Sequence, residues 1–302
     1  MTTPTTTMTP STAGGVPARV RPAHGRPRSG KPLLPRVIVY TLLLCYAVVS
    51  LFPFAWMVSG SLKSDQDMRD PGAFVPHHPT LEILTHTWSQ LDFLGYFLNS
   101  LKVTGLTVLG VLVLYSLAAY AFGVLRFPGR TVLYRFFVAL LFVPSVTVLL
   151  PIVLLENEAG LLGTHLGLIL PLINGTAPLS ILLLTTAMAG VPRELREAAT
   201  MDGAGELRTF LQVYLPSIRP ALVTVAMLTA IPTWNEYLLT RVSLTEPTAF
   251  TLPIALQNLT TSGVPQYNVL MAGALIVVLP VIILFTCLQR YFVNGLIGAV
   301  KG

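Results

Sequence analysis

Charge is what this sequence has least of. Only 11% of its 302 residues are Asp, Glu, Lys or Arg, against about 25% in an ordinary soluble domain. With 53% hydrophobic residues and a mean hydropathy of +0.70, the chain has too few polar groups to cover a cytosolic enzyme. Lipid is the solvent that tolerates such an exterior. Cysteine is almost missing as well. Cys45 and Cys287 both sit inside apolar runs, which excludes a disulfide framework and a cysteine metal site. His77, His78 and His165 lack metal-ligand spacing, and no nucleophile and base recur at helical spacing. No catalytic residue and no metal ligand is therefore expected. A phosphate loop is absent too. Gly25-Arg-Pro-Arg-Ser-Gly30-Lys31 has the GxxxxGK spacing, but Pro32 replaces the hydroxyl residue that would reach magnesium and no strand precedes it.

What the chain does have is six apolar segments, at roughly 37–58, 96–122, 132–155, 166–189, 220–240 and 268–289. Each offers about the 20 residues that an α-helix needs to cross the hydrocarbon layer. Backbone groups must be satisfied internally in lipid, and the alternation of a membrane barrel is missing. The expected fold is an all-α membrane protein with six transmembrane helices. Residues 1–36, rich in Thr, Pro, Gly and Arg without apolar periodicity, read as a disordered basic tail. Residues 37–95 read as the first span with its external loop, and 96–302 as the core with spans two to six. Within the external loop, Leu81, Leu84, Trp88 and Leu91 share one face of a short helix.

The formal net charge of +6 fits either nucleic-acid binding or membrane topology, and its distribution decides between them. Six spans place both termini on one side. That side collects 15 of the 19 basic residues, including Arg126, Arg130, Arg135, Arg193, Arg196, Arg208 and Arg219; the other has Lys63, Arg69, Lys102 and Arg241. The positive-inside rule then sets both termini in the cytoplasm, and no nucleic-acid partner is expected. Glu156 and Glu158 fall among the acids of the external side.

The loop 191–216 between spans four and five is polar and patterned. Pro192 and Glu194 suit a helix start. Leu195, Ala198, Ala199 and Asp202 share a face whose small centre lets another surface come close to the backbone. Gly203 is placed to stop the helix in a left-handed conformation. A second helix is expected to carry Leu207, Phe210, Leu211 and Tyr214 as a packing stripe against the protein's own spans, with Pro216 ending it. On pattern alone this is a helical hairpin that links two spans.

Residue identity adds to that. Glu197-Ala198-Ala199, Asp202-Gly203-Ala204, Phe210, Leu215-Pro216 and Pro220 resemble, at fixed offsets over about 30 positions, the EAA loop of ATP-binding-cassette importer permeases of the sugar-importer branch. Asn99-Ser100, Arg126-Phe-Pro-Gly129, Gly160-Leu-Leu-Gly-Thr164, Trp234-Asn-Glu236 and the ending Gln289-Arg290 to Gly302 are similar to the same family, so the likeness runs over about 37–302. Gly205 departs from the family's usual small polar residue. The resemblance implies a bacterial inner-membrane permease. Glu197, Ala198, Ala199, Asp202, Gly203, Leu215 and Pro216 would couple it to a separate ATPase. Its implied partners are a second homologous permease, two copies of the ATPase, an extracytoplasmic sugar-binding protein and the lipid bilayer. No cofactor is implied on this chain, because ATP and magnesium would sit on the ATPase.

Sugars are held by neutral hydrogen bonds and aromatic stacking, which singles out Asn174, Trp234, Asn235, Glu236 and Tyr237 as candidates for the cargo path. Glu236 is the sole acid inside an expected span. Either it anchors the helix at the interface as a capping carboxylate, or it serves the cargo path or a partner interface. Pro144, Pro151, Pro171, Pro178, Pro232 and Pro280 interrupt the spans. The alternative function is an ion-coupled secondary transporter, which would place paired charges near the midplane.

Overall fold

The computed structural model describes residues 33–69, 74–90, 92–261 and 266–300, and among them all regular structure is helical. The basic tail expected over 1–36 falls, for residues 1–32, outside the described residues, as do Leu91 and residues 301–302. The chain divides into two compact units, one ending at Ser50 and one beginning at Leu51. The described part of the first unit is the N-terminal portion of α1 (Leu33–Ser61), which bears no charge beyond Arg36. The apolar run Val37–Ser61 has 25 residues, about 37 Å of helix, ample for a bilayer core of roughly 30 Å.

The second unit begins with the end of α1 and α2 (Glu82–Gln90), and is built around α3 (Phe93–Gly123). Two further apolar segments are each broken in the middle. The third expected span is α4 (Arg130–Ala139) and α5 (Leu149–Glu158), with 3-10 turns between them, and the two halves meet at 97°. The fourth is α6 (His165–Gly175) and α7 (Ala177–Ala189), which meet at 49°. The polar loop forms α8 (Arg193–Met201), α9 (Glu206–Thr209), a π turn over Phe210–Tyr214 and α10 (Leu215–Ser217). After it come α11 (Arg219–Trp234), α12 (Leu238–Ser243), α13 (Leu252–Thr261) and α14 (Tyr267–Val300). Among the described residues, three helices are long and apolar enough to cross a membrane, and the count reaches six if each bent pair is one span.

The interruptions expected at Pro144 and Pro178 are present, and the end of the fifth span is corrected. The segment 132–155 is not one straight helix, because Val143 and Pro144 are extended; a proline forces the residue before it out of the helical region. The segment 166–189 bends at Thr176, where Pro178 starts a new helix. The fifth span ends at Trp234 rather than near 240, and Glu236 lies in the break before α12. Pro171, Pro232 and Pro280 stay inside their helices.

Packing in the second unit follows the logic of lipid, where hydrophobic side chains gain nothing by clustering and small ones let backbones approach. The buried positions of α3 include Ser100, Thr104, Thr107, Ser116 and Ala119, while Leu94, Leu98, Leu101, Leu109 and Leu114 point outward. That small-residue face packs chiefly on α7 and α11. At one end of α3 the core gathers Val111, Tyr120, Leu184, Met188, Phe210, Tyr214 and Val225. At the other it gathers Phe93, Trp234, Leu252 and Val277. In α2 Thr87 is fully buried, whereas Trp88, and Leu81 just before the helix, are exposed. Glu156, expected on an external loop, is in the last turn of α5 and only 4% exposed, beside Ser243.

Candidate functional site

The loop between α7 and α11 folds as a helical hairpin, and its turn explains its sequence. Gly203 has φ +74°, a conformation that costs other residues about 1–2 kcal/mol. Its N–H donates to the Thr200 carbonyl at 3.0 Å, and the N–H of Ala204 donates to the Ala199 carbonyl at 2.9 Å. This pair of bonds is a Schellman closure, which satisfies the last carbonyls of α8. A side chain at Gly203 would meet no atom within 4 Å, so the glycine is required by the backbone alone.

No residue of α8 is buried. Glu197, Ala198, Asp202 and Gly203 are exposed, together with Leu195 and Met201; Ala199 is half-buried. The remaining two residues of the expected coupling set behave differently. Leu215 packs against the core cluster around Tyr120 and Phe210, and Pro216 is half-buried. Nor does Pro216 end its helix. The chain turns two residues later, at Ile218, where the arm Glu206–Ser217 meets α11 at 78°. The expected stripe is also split. Phe210 and Tyr214 are 4% and 2% exposed, but Leu207 and Leu211 are 65% and 49% exposed. Phe210 and Tyr214, four residues apart, lie on the inner edge of the stripe, and Leu207 and Leu211 lie on its outer edge.

What fastens the hairpin to the spans is a polar junction that sequence reading missed. The Tyr120 hydroxyl, at the end of α3, donates to Glu206 Oε2 at 2.6 Å, and Arg196 Nη2 donates to Glu206 Oε1 at 2.6 Å. The Glu206 bond raises the Arg196 pKa above its ordinary value. Tyr120 in turn packs edge-on to Tyr214 and beside Phe210, with ring centroids 5.1 and 5.2 Å away. Arg196 and Glu206 stand ten residues apart across a glycine turn, and Tyr120 is 86 residues from Glu206. No helical periodicity relates them.

The candidates for a cargo path do not converge. Trp234 is buried, donates from Nε1 to the Val277 carbonyl at 3.0 Å, and meets Phe97 edge-on at 5.7 Å. Asn235 Nδ2 donates to the Ile231 carbonyl at 2.8 Å, closing the end of α11. Glu236 Oε1 accepts from the Leu239 N–H at 2.8 Å, so of its two open roles the structure displays the capping one. Tyr237 and Asn174 are exposed, and no hydrogen bond or ring contact joins Asn174 to the other four among the described residues. Beside Trp234, a cavity of about 390 Å³ between α3, α11 and α14 is lined almost wholly by apolar groups. It offers little to hold a polyol. Among the described residues no cluster of His, Cys, Asp and Glu could hold a metal ion.

Comparison with known proteins bears on the whole arrangement. A family model described as the inner membrane component of binding-protein-dependent transport systems matches residues 115–298. The galactooligosaccharides transport system permease protein GanQ of Bacillus subtilis (strain 168) is 31% identical over 268 residues, covering 87% of this chain and 94% of that protein. The trehalose transport system permease protein SugB of Mycobacterium tuberculosis (strain CDC 1551 / Oshkosh) is 34% identical over 268 residues, covering 88% and 96%. Among solved structures, a bacterial ABC transporter involved in the import of the acidic polysaccharide alginate superimposes with a TM-score of 0.75 at 25% identity, over 86% of this chain and 97% of that one.

Proposed function

This chain belongs to the family of inner membrane components of binding-protein-dependent transport systems, and from that membership we propose how its hairpin and spans divide the work. It is a multi-pass permease subunit of an ATP-binding-cassette importer, a transport component and not an enzyme. The cargo we propose is a di- or oligosaccharide, a reading supported by the relatives named for galactooligosaccharides and trehalose. An extracytoplasmic binding protein delivers it, and a second, homologous permease completes the path. Two copies of a separate ATPase bind the ATP and magnesium, and this chain carries no cofactor.

The observation that carries the reading is α8. It is a nine-residue helix with no buried residue, ended by Gly203 and braced from behind by Arg196, Glu206 and Tyr120. An exposed helix on a fixed brace can receive a push and pass it to α3. The ATPase would seat on Glu197, Ala198 and Asp202, while Ala199, Leu215 and Pro216 hold that surface against the spans. On the 15-to-4 distribution of basic residues, α8 and both termini face the cytoplasm. Of the cargo-path candidates, Asn174, Asn235 and Tyr237 present exposed side chains; Trp234 and Glu236 support the fold around them.

The test is uptake by the complete transporter. Gly203→Val strains the turn and Glu197→Lys reverses a charge on the docking face, and each is expected to abolish uptake while the chain still inserts at normal levels. Normal uptake with normal ATP consumption in both variants overturns the docking assignment.

A further inference from the structure

Beside α8 lies a cavity of about 340 Å³, lined in part by Arg196 and Glu197, for which the transport reading names no ligand. Its floor is apolar and comes from the ends of α3 and α7. Its lining residues include four arginines, Arg126 from the turn before α4, Arg130 from the start of α4, and Arg193 and Arg196 from α8, with one glutamate, Glu197, and Tyr214. Two of the four are committed. Arg196 is paired with Glu206, and Arg130 Nη1 donates to the Leu125 carbonyl at 2.9 Å. Arg126 and Arg193 make no hydrogen bond or ion pair among the described residues.

Like charges brought around a partly enclosed space repel one another more than the same charges spread over open surface, because screening by solvent is weaker there. Even with Glu206 on Arg196, the four cations outnumber the two carboxylates beside them, and a ligand of negative charge relieves the excess. The guanidinium fork matches the oxygens of a phosphate group two at a time. The volume is at the small end of ligand sites, enough for a phosphate and the few carbons esterified to it. The position adds a second argument. The cavity opens where α3 and α7, two apolar segments, come to their ends, which is the level at which hydrocarbon gives way to lipid headgroups, and basic pockets at such levels receive acidic headgroups.

We infer that this cavity is an anion site that takes a phosphate ester, gripped by Arg126 from one side and Arg193 from the other. The bound phosphate ties α8 to the turn after α3, parallel to the brace made by Glu206. Acidic lipid and soluble phosphate compounds share the chemistry, and the experiment separates them. A choline headgroup is disfavoured, since its own cation would enter a cationic site. The site does not depend on which cargo is transported.

The full-length chain, purified with its co-expressed partners and stripped of lipid, is titrated with phosphatidylglycerol or phosphatidylcholine, and bound lipid is read by native mass spectrometry. The wild type is expected to prefer phosphatidylglycerol. Arg126→Gln with Arg193→Gln should weaken that lipid about tenfold or more, the scale of losing charge-assisted hydrogen bonds. Arg135→Gln, an exposed arginine outside the cavity, should leave it unchanged. If the double glutamine variant does not fold, Arg126→Lys with Arg193→Lys keeps the charge and loses the fork, and its affinity should fall severalfold below that of the wild type, an unchanged affinity overturning the site. Displacement of the lipid by millimolar inorganic phosphate assigns the site to soluble phosphate compounds, and absence of displacement assigns it to the headgroup. Equal binding by wild type and double variant, or an equal loss in Arg135→Gln, overturns the site.

Discussion

At its beginning α3 is held by neutral groups, and at its end by charge. Asn99 Nδ2 donates to the carbonyls of Thr248 and Phe250 at 2.8 and 3.0 Å, and the Leu252 N–H donates to Ser100 Oγ at 2.9 Å. Those three bonds pin the 3-10 turn Pro247–Ala249 and the start of α13 onto the helix, with His165 Nε2 adding a bond to the Ala249 carbonyl at 2.9 Å. At the other end, Tyr120 meets Glu206, whose other oxygen holds Arg196, and the side chains of Arg196 and Glu206 are 35% and 56% exposed. Bonds to backbone carbonyls leave unsatisfied groups when broken, which costs more than they contribute when made. An exposed ion pair costs little to open, because water and salt take over both partners. One end is thus held by bonds that are costly to break, and the other by an ion pair whose partners water can take over.

Changes at the neutral end should have the largest effects. Trp234→Ala removes a buried ring that packs on Phe97 and bonds the Val277 carbonyl. A loss of about 3–5 kcal/mol is expected, the range for a large aromatic core truncation, read as a lowered midpoint of thermal unfolding in detergent. Asn99→Ala leaves two carbonyls short of a donor and should cost about 1–3 kcal/mol by the same measurement, with no dependence on salt. Arg196→Gln, at the charged end, should cost under about 1 kcal/mol, and the difference from wild type should shrink as ionic strength rises. If Asn99→Ala proved the milder change, or if the Arg196→Gln effect persisted in high salt, the contrast between the two ends would fail. In the complete transporter the order should invert: Arg196→Gln lowers the sugar carried per ATP consumed, whereas Asn99→Ala lowers the amount of folded protein.

Much of this was legible residue by residue. Gly203 announced a left-handed turn and the structure places it at φ +74°, because a helix stop of this kind depends on a few consecutive residues. The hairpin itself was legible from Pro192 to Met201, and so was the apolar extent of α1, α3 and α14. The Asn99-Ser100 pair stood out only by resemblance, and its role in holding Thr248, Phe250 and Leu252 required the fold. Pattern misled where all four positions of the stripe were taken as packing, since Leu207 and Leu211 face outward. Residue type alone left the roles of Trp234, Asn235 and Glu236 open. Their types suit a sugar, yet Trp234 and Asn235 bond the chain's own carbonyls and Glu236 caps α12.

By itself the sequence determined where the chain prefers lipid, where it prefers water, and where a helix must stop. These are preferences of single residues and their near neighbours, written by solvation and by backbone sterics. Only the tertiary structure decided which polar groups serve the fold and which remain exposed for a partner. A hydrogen bond is satisfied by whatever donor arrives within about 3 Å, and for Glu206 that donor is Tyr120, 86 residues away. The bends of 97°, 49° and 78° were decided there too, since a proline or an extended residue permits a break while the packing around α3 sets its angle.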